Sequence, residues 1–317
     1  MLNKITDNIL NGNKITKDEA MYLLNCDINE LADKADSIRI KFCGNKVNLC
    51  SIINGRGGNC SENCKFCAQS VFHHTNIANH SFLDEEEIVK DCKNHCKAGV
   101  HRYSIVTAGR ALVGNDFGKA VKAYRRMNEE CPDIELCASH GLLSYEQFVE
   151  LKDNGVTRYH CNIETSQNYF SNICTTHSFE DKINTIKAAK RAGLEVCSGG
   201  IIGMGETVED RIDMAFTLAD LEVKSIPINI LNPIKNTPLE NAEPLSEEEI
   251  IRTVAIFRFI NPKADVRIAA GRNKISDNGL KVFFSGANAT ITGDFLTTTG
   301  STINKDKEML LNNGFEI

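Results

Sequence analysis

The sequence predicts an α/β fold, a (β/α)8 barrel of the TIM type with a helical extension at the N-terminus. Three observations point there. Short β-branched runs alternate with amphipathic stretches, the connections between them are short, and the alternation repeats eight times, the number at which a parallel sheet closes on itself. An open doubly wound sheet is the competing arrangement of the same pattern. The length of 317 residues would allow two domains at about 150 residues each, but a single α/β barrel of this size is ordinary.

The first 40 residues read as helices that precede any strand, and they are expected to cap the closed end of the barrel or to make a dimer contact. Short β-branched runs place strands at 47–53, 102–107, 134–138, 156–163, 195–201, 225–230, 265–269 and 282–287. Helices are expected between them at 84–97, 117–130, 144–154, 179–192, 208–221, 246–260 and about 272–279. Thr207 followed by Asp210, and Ser246 followed by Glu249, pair an N-cap oxygen with an acidic first turn. Gly99, Gly155 and Gly193 stand where a helix should stop before the next strand. The expected organisation is an extension over 1–40, a barrel over 41–300 and a helical tail over 301–317.

With 42% hydrophobic and 25% charged residues, 22 Gly and 6 Pro, the composition excludes disordered and collagen-like chains. A net charge of -6, from 36 basic against 42 acidic side chains, provides no field for a phosphate backbone, so nucleic acid is not an expected partner. No segment approaches the roughly 20 apolar residues that span a bilayer, and no export signal is visible, so the expectation is a cytoplasmic protein without membrane attachment. The 13 cysteines, all in the first two thirds of the chain, then read as reduced core residues and metal or cluster ligands.

Their sharpest pattern is Cys60, Cys64 and Cys67, a C-x3-C-x2-C triplet in a polar loop with Gly55, Gly57 and Gly58, directly after the first strand. A structural zinc site normally takes four ligands, and no neighbouring cysteine or histidine has the usual paired spacing; His73 and His74 are the nearest candidates. Three thiolates leave one iron of a [4Fe–4S] cube open to chelation by a small molecule. On strand four, His160, Asn162 and Glu164 fall at period two and should face the barrel interior together, with Cys161 and Ile163 on the other side. Gly199, Gly200, Gly203 and Gly205 lie where strand five passes into its helix, a position that does not fit a dinucleotide-binding turn.

The triplet, with Phe66 before its last cysteine, resembles the signature of the radical S-adenosylmethionine (SAM) superfamily. From about 38 to 300 the chain further resembles the biotin synthase family through five blocks: 60–70, 159–166, 196–206, 225–231 and 266–272. The resemblance implies a homodimeric barrel that inserts sulfur into dethiobiotin, using a [4Fe–4S] cluster on Cys60, Cys64 and Cys67, SAM bound to its open iron, and a flavodoxin- or ferredoxin-type electron donor. It also implies a second iron–sulfur cluster deep in the barrel as sulfur source.

By that resemblance Phe66, Asn162, Glu164, Lys182, Ile201 and the turn of Gly199, Gly200 and Gly203 contact SAM. Asn162 and Asn229, with His160 beside them, contact dethiobiotin, and Cys137, Cys197 and Arg267 ligate the auxiliary cluster. Ser104 stands where the family has that cluster's strand-two cysteine, and a hydroxyl is a poor iron ligand beside thiolate. Cys43 is the expected replacement and Cys50 the second choice, with a [2Fe–2S] or a four-iron variant as the resulting cluster. Cys26, Cys92, Cys96, Cys131 and Cys174 read as packed thiols. Other radical SAM barrels, such as a mutase or a hydrogenase-maturation enzyme, would keep the triplet without the Cys137, Cys197 and Arg267 set. A non-catalytic iron–sulfur or zinc protein would need neither.

Overall fold

The computed structural model describes residues 1–293 and 300–317. Its parallel strands are β1 (Asn48–Arg56), β2 (Arg102–Thr107), β3 (Glu135–Ser139), β4 (Val156–His160), β5 (Glu195–Cys197), β6 (Gly200–Ile202), β7 (Ser225–Ile230), β8 (Asp265–Ile268) and β9 (Ala289–Ile291). They close into one ring in which β5 and β6 share a position. β5 lies against β4 and meets β7 through Cys197 opposite Ser225, and β6 continues along β7 from Gly200 opposite Ile228. The seam closes where Asn48 of β1 pairs with Ala289 of β9. The ring is therefore the eight-position parallel barrel that the alternation predicts.

The helices are α1 (Leu2–Leu10), α2 (Lys17–Leu23), α3 (Ile28–Cys43), α4 (Glu85–Lys97), α5 (Gly114–Glu130), α6 (Tyr145–Asp153), α7 (Gln167–Ile173), α8 (Phe179–Arg191), α9 (Val208–Asp220), α10 (Glu247–Ile260), α11 (Leu280–Phe283) and α12 (Ile303–Asn312). Capping boxes at Thr207 and Ser246 form as the sequence requires, and so do boxes at Ser144 and Ser178. Gly99, Gly155 and Gly193 end α4, α6 and α8 with positive φ angles of 75°, 96° and 83°. The extension packs α3 along α10 and α2 against α9 and α10, which leaves α10 buried from Ile250 to Ile260 almost without interruption. No helix among the described residues is long and apolar enough to cross a membrane.

Period two sorts the side chains of the sheet. On β2, Tyr103 and Ile105 point outward beneath the helices and are fully buried, while Arg102, Ser104 and Val106 face the interior. Each large outward side chain contributes about 1.5–3 kcal/mol by leaving water.

Five expectations change. The strand expected over 195–201 breaks after Cys197, because Cβ atoms at Gly199 and Gly200 would stand 1.9 Å from the Pro227 carbonyl oxygen and 2.2 Å from that of Glu164. The last strand is not 282–287 but β9; Val282 and Phe283 bury their side chains from the short helix α11, and an apolar run that short carries no decisive period. Residues 272–279 form two 3-10 turns in place of a helix. α7 was not anticipated, and α3 runs past residue 40 to Cys43.

Candidate functional site

The strands' C-terminal ends open into a cavity of about 340 Å³, within the usual range for small-molecule sites. Phe66, Cys67, Ala68 and Gln69 line its mouth, His160, Asn162, Glu164, Ile201 and Asn229 its middle, and Cys50, Cys137, Cys197 and Arg267 its floor.

The triplet sits on a loop pinned at several points. Cys60 N–H donates to the Gln69 carbonyl (2.9 Å), Gly58 N–H to Gln69 Oε1 (2.9 Å), Lys65 N–H to the Ile173 carbonyl (2.9 Å), and Cys67 N–H to the Cys64 carbonyl (3.0 Å). Gly58 takes a φ of 74°, and a Cβ there would overlap Asn79. All three thiols are half-buried, and burial pushes Cys67 up to about 11. A second contact was not legible in the sequence: Cys64 Sγ lies 3.7 Å from Cys174 Sγ, which in turn lies 3.3 Å from His177 Nδ1. That contact raises the Cys64 thiol and, with His177, holds Cys174 well below the usual thiol range.

In the middle layer, His160, Asn162 and Glu164 face the interior together as their spacing predicts. Asn162 Nδ2 donates to Glu164 Oε2 (3.3 Å), and Gly199 N–H donates to Asn162 Oδ1 (3.0 Å). Glu164 adopts a φ of 69°, a left-handed conformation that costs about 1–2 kcal/mol for a residue with a Cβ. Backbone bonds on both sides hold it there, from Glu164 N–H to the Gly199 carbonyl (3.1 Å) and from Ile201 N–H to the Glu164 carbonyl (2.9 Å). Burial raises the Glu164 carboxyl against the opposing pull of Lys182 and His160. Lys182, on α8, lies behind the lining in the field of Cys161, Glu164 and Cys64.

Gly199, Gly200 and Gly203 do not line the cavity. Gly199 and Gly200 let backbones meet, and Gly203 N–H is occupied by Glu206 Oε1 at 2.8 Å. Asn229 bridges two strands, donating from Nδ2 to the Gly200 carbonyl (3.0 Å) and accepting from Ala270 N–H (3.2 Å).

On the floor the expected third cysteine changes. Cys43 lies outside the cavity at the end of α3, where Arg258 Nη1 approaches its Sγ at 3.3 Å and the Pro262 and Ala264 carbonyls lie at 3.7 and 3.9 Å. A helix terminus on the barrel's outer side cannot turn a side chain through the sheet. Cys50, inward on β1, stands with Cys137 and Cys197 instead, and Ser104 lies opposite Cys137 in the register. Burial raises Cys50 and carries Cys137 up to about 12. Burial would raise Cys197 as well, but His160 Nδ1 at 3.4 Å, with Arg267 and Arg158, holds it at about 6.

Two floor arginines were missed, Arg102 and Arg158, because strand arginines read from sequence as solvated. Both face the cavity with a buried Nη1 that has no hydrogen-bond partner, and Ser104 Oγ is likewise unpartnered. Arg267 donates to the Thr290 carbonyl at 2.9 Å.

Comparison with known proteins adds the following. Residues 56–218 match the Radical SAM superfamily, and residues 227–316 match the Biotin and Thiamin Synthesis associated domain. Biotin synthase of Alkaliphilus metalliredigens (strain QYMF) is 60% identical over 317 residues, 100% of this chain and 99% of that protein. Biotin synthase of Clostridium perfringens (strain 13 / Type A) is 52% identical over 314 residues, 99% of this chain and 98% of that protein. Among solved structures, methylornithine synthase (PylB) superposes with a TM-score of 0.86 at 20% identity, covering 98% of this chain and 96% of that one. HydG, a maturase of the [FeFe]-hydrogenase, gives 0.85 at 18% identity, covering 99% and 74%. At those identities the two structures support the fold alone.

Proposed function

Because the chain belongs to the biotin synthase family of the radical SAM superfamily, we propose that a single barrel cavity carries its reaction, with SAM near the mouth, dethiobiotin below it and an auxiliary iron–sulfur cluster on the floor. The chain is an enzyme that converts dethiobiotin to biotin by sulfur insertion, and its family implies a [4Fe–4S] cluster, SAM and an electron donor. The observation that carries the layered reading is the floor. Three thiols, of Cys50, Cys137 and Cys197, share it with the guanidinium groups of Arg102, Arg158 and Arg267. Arg102 is ion-paired with Glu135 and Arg158 with Glu195, yet each keeps one buried Nη1 without a hydrogen-bond partner. A buried donor left unsatisfied is costly, so this donor set fits an anionic sulfide-bridged cluster.

When bound, the four-iron cluster with SAM supplies radical chemistry that removes hydrogen from unactivated C–H bonds, and the floor cluster supplies sulfur, tasks beyond side-chain acids and bases. Cys60, Cys64 and Cys67 would hold the first cluster; three ligands on a pinned loop leave the position that SAM needs. Glu164, fixed in its strained conformation, and Asn162 present oxygen atoms to the SAM ribose, and Phe66 and Ile201 border its adenine. Asn162 and Asn229 address the ureido ring, each already oriented by backbone, so little side-chain freedom is lost on binding. Val106, Pro227, Ile230, Leu231 and Ile234 give the cavity apolar walls that keep water from a radical. The remaining features of this reading are a homodimer, a flavodoxin- or ferredoxin-type donor and a cytoplasmic location.

The test is anaerobic reconstitution with iron and sulfide, followed by SAM, dethiobiotin and a strong reductant. Biotin and 5′-deoxyadenosine should form together. Dethiobiotin should bind more tightly than its ring-opened diamine precursor, since an unpaired amide in the cavity costs about 1–3 kcal/mol. Equal affinities would contradict the ureido assignment.

A further inference from the structure

Cys174 and His177 have no part in the reaction described above, yet they form the one group of its kind among the described residues. With Cys64 they bring three soft or borderline donor atoms within 4.8 Å of one another. The three residues come from two separate segments: Cys64 from the triplet loop, and Cys174 and His177 from the short connection between α7 and α8. Those segments are tied together independently of the thiols. Asn63 Nδ2 donates to Thr175 Oγ1 (2.6 Å), Asn63 N–H to Thr176 Oγ1 (3.1 Å), and Thr175 N–H to Asn63 Oδ1 (2.9 Å).

The spacing has a chemical meaning. Tetrahedral coordination with about 2.3 Å from zinc to each thiolate sets two sulfurs about 3.8 Å apart. Cys64 Sγ and Cys174 Sγ stand 3.7 Å apart. His177 Nδ1 lies 2.6 Å from Glu62 Oε2, which leaves Nε2, 3.8 Å from Cys174 Sγ, as the free ring nitrogen. A carboxylate on one ring nitrogen is the usual means of orienting a histidine whose other nitrogen binds metal. Glu62 is itself fixed by Thr176 Oγ1 (2.8 Å), and Phe170 packs edge-on against the His177 ring.

We propose that Cys64, Cys174 and His177 form a binding site for a thiophilic divalent cation of the zinc class in the chain that lacks its four-iron cluster, with Glu62 orienting His177 and water as the fourth ligand. Cys64 belongs to both sets, so the cation and the four-iron cluster exclude each other. A chain loaded with the cation keeps its triplet loop closed against α7 and assembles its cluster slowly.

Cobalt(II) serves as the probe, added to the full-length chain purified free of iron, because thiolate-to-cobalt charge transfer reports sulfur ligation. Wild type and Cys60→Ala should each bind one cobalt per chain with the same spectrum. Cys174→Ser and His177→Ala should lose the tight site, and Glu62→Gln should weaken it by about tenfold. Retention in both Cys174→Ser and His177→Ala, with loss in Cys60→Ala, would overturn the proposal by placing the metal on the triplet alone. Two separate variants guard against one failing to fold, and circular dichroism checks each. In the second arm, zinc-loaded wild type should take up cluster iron more slowly than metal-free protein, and Cys174→Ser should abolish that delay. Equal uptake rates with and without zinc would overturn the exclusion.

Discussion

Replacing Cys50 and Cys43 separately by alanine discriminates sharply between two ways of building the cavity floor. Cys43 lost its place there because its Sγ meets Arg258 on the outer side of the barrel. Arg258 does not depend on that contact. Its guanidinium also donates to the Ala264 carbonyl (2.8 Å), the Pro262 carbonyl (3.1 Å), the Gly286 carbonyl (2.7 Å) and Asn288 Oδ1 (2.6 Å). Cys43→Ala therefore removes only long, weak sulfur contacts, worth about 0.5–1.5 kcal/mol, and should lower Tm by only a few degrees. Cys50 is in the opposite position: its sulfur makes one long contact, 3.9 Å to the Ser51 carbonyl, so the fold hardly needs it. Cys50→Ala should cost about 1 kcal/mol of apolar burial and yet remove a thiol from the proposed floor ligands. Iron and sulfide analysis with Mössbauer spectroscopy on anaerobically reconstituted protein is the assay. Cys43→Ala should match wild type. Cys50→Ala should lose the second cluster's signal and biotin formation while still cleaving SAM. Loss of floor iron in Cys43→Ala, with a full count in Cys50→Ala, would refute the reasoning.

Other perturbations follow from the same geometry. Cys64→Ala should abolish SAM cleavage while the barrel keeps its melting curve, because a half-buried loop thiol contributes little core; normal 5′-deoxyadenosine production would contradict the cluster assignment. Ser104→Ala should leave activity and Tm nearly unchanged, since Ser104 Oγ is buried without a partner and its removal leaves no group unsatisfied. Glu164→Gln should weaken SAM binding by isothermal titration and alter the pH dependence of the ligand-free chain. Burial raises the folded carboxyl above the ordinary glutamate value of 4.5, so its stability contribution is full below that value and falls as pH rises through the folded pKa. The glutamine variant should lack that decline in thermal melts between pH 4 and pH 8. Gly200→Ala places a Cβ 2.2 Å from the Glu164 carbonyl oxygen and should cost about 1–3 kcal/mol, with weakened SAM affinity; an unchanged Tm would show that β6 yields easily.

The barrel was legible because amphipathic segments alternate with short apolar runs along the chain, and each kind of segment carries its own period. The inward set of His160, Asn162 and Glu164 was legible for the same reason, since period two fixes a shared face even where the strand itself ends at His160. What stayed hidden depends on closure. Whether Cys43 or Cys50 reaches the floor turns on where α3 ends and β1 begins, a boundary of a few residues that propensity does not locate. Arg102 and Arg158 look like ordinary charged positions until the sheet closes and buries them. Cys174 stands 110 residues from Cys64, so no local spacing could pair them, although Cys174 and His177 do carry the short C-x2-H spacing of a metal-binding pair. The last strand was misplaced because Val282 and Phe283 are apolar and short-ranged, and tertiary packing turned them into a helix.

The proposed cavity holds one iron–sulfur cluster at its mouth and another at its floor. Anomalous scattering at the iron edge, from crystals of the reconstituted enzyme grown without oxygen, tests it most directly. Two iron peaks are expected in each barrel, one against Cys60, Cys64 and Cys67 and the other against Cys50, Cys137, Cys197 and Arg267. A single peak at the triplet, or a second one drawn out to Cys43, would contradict it.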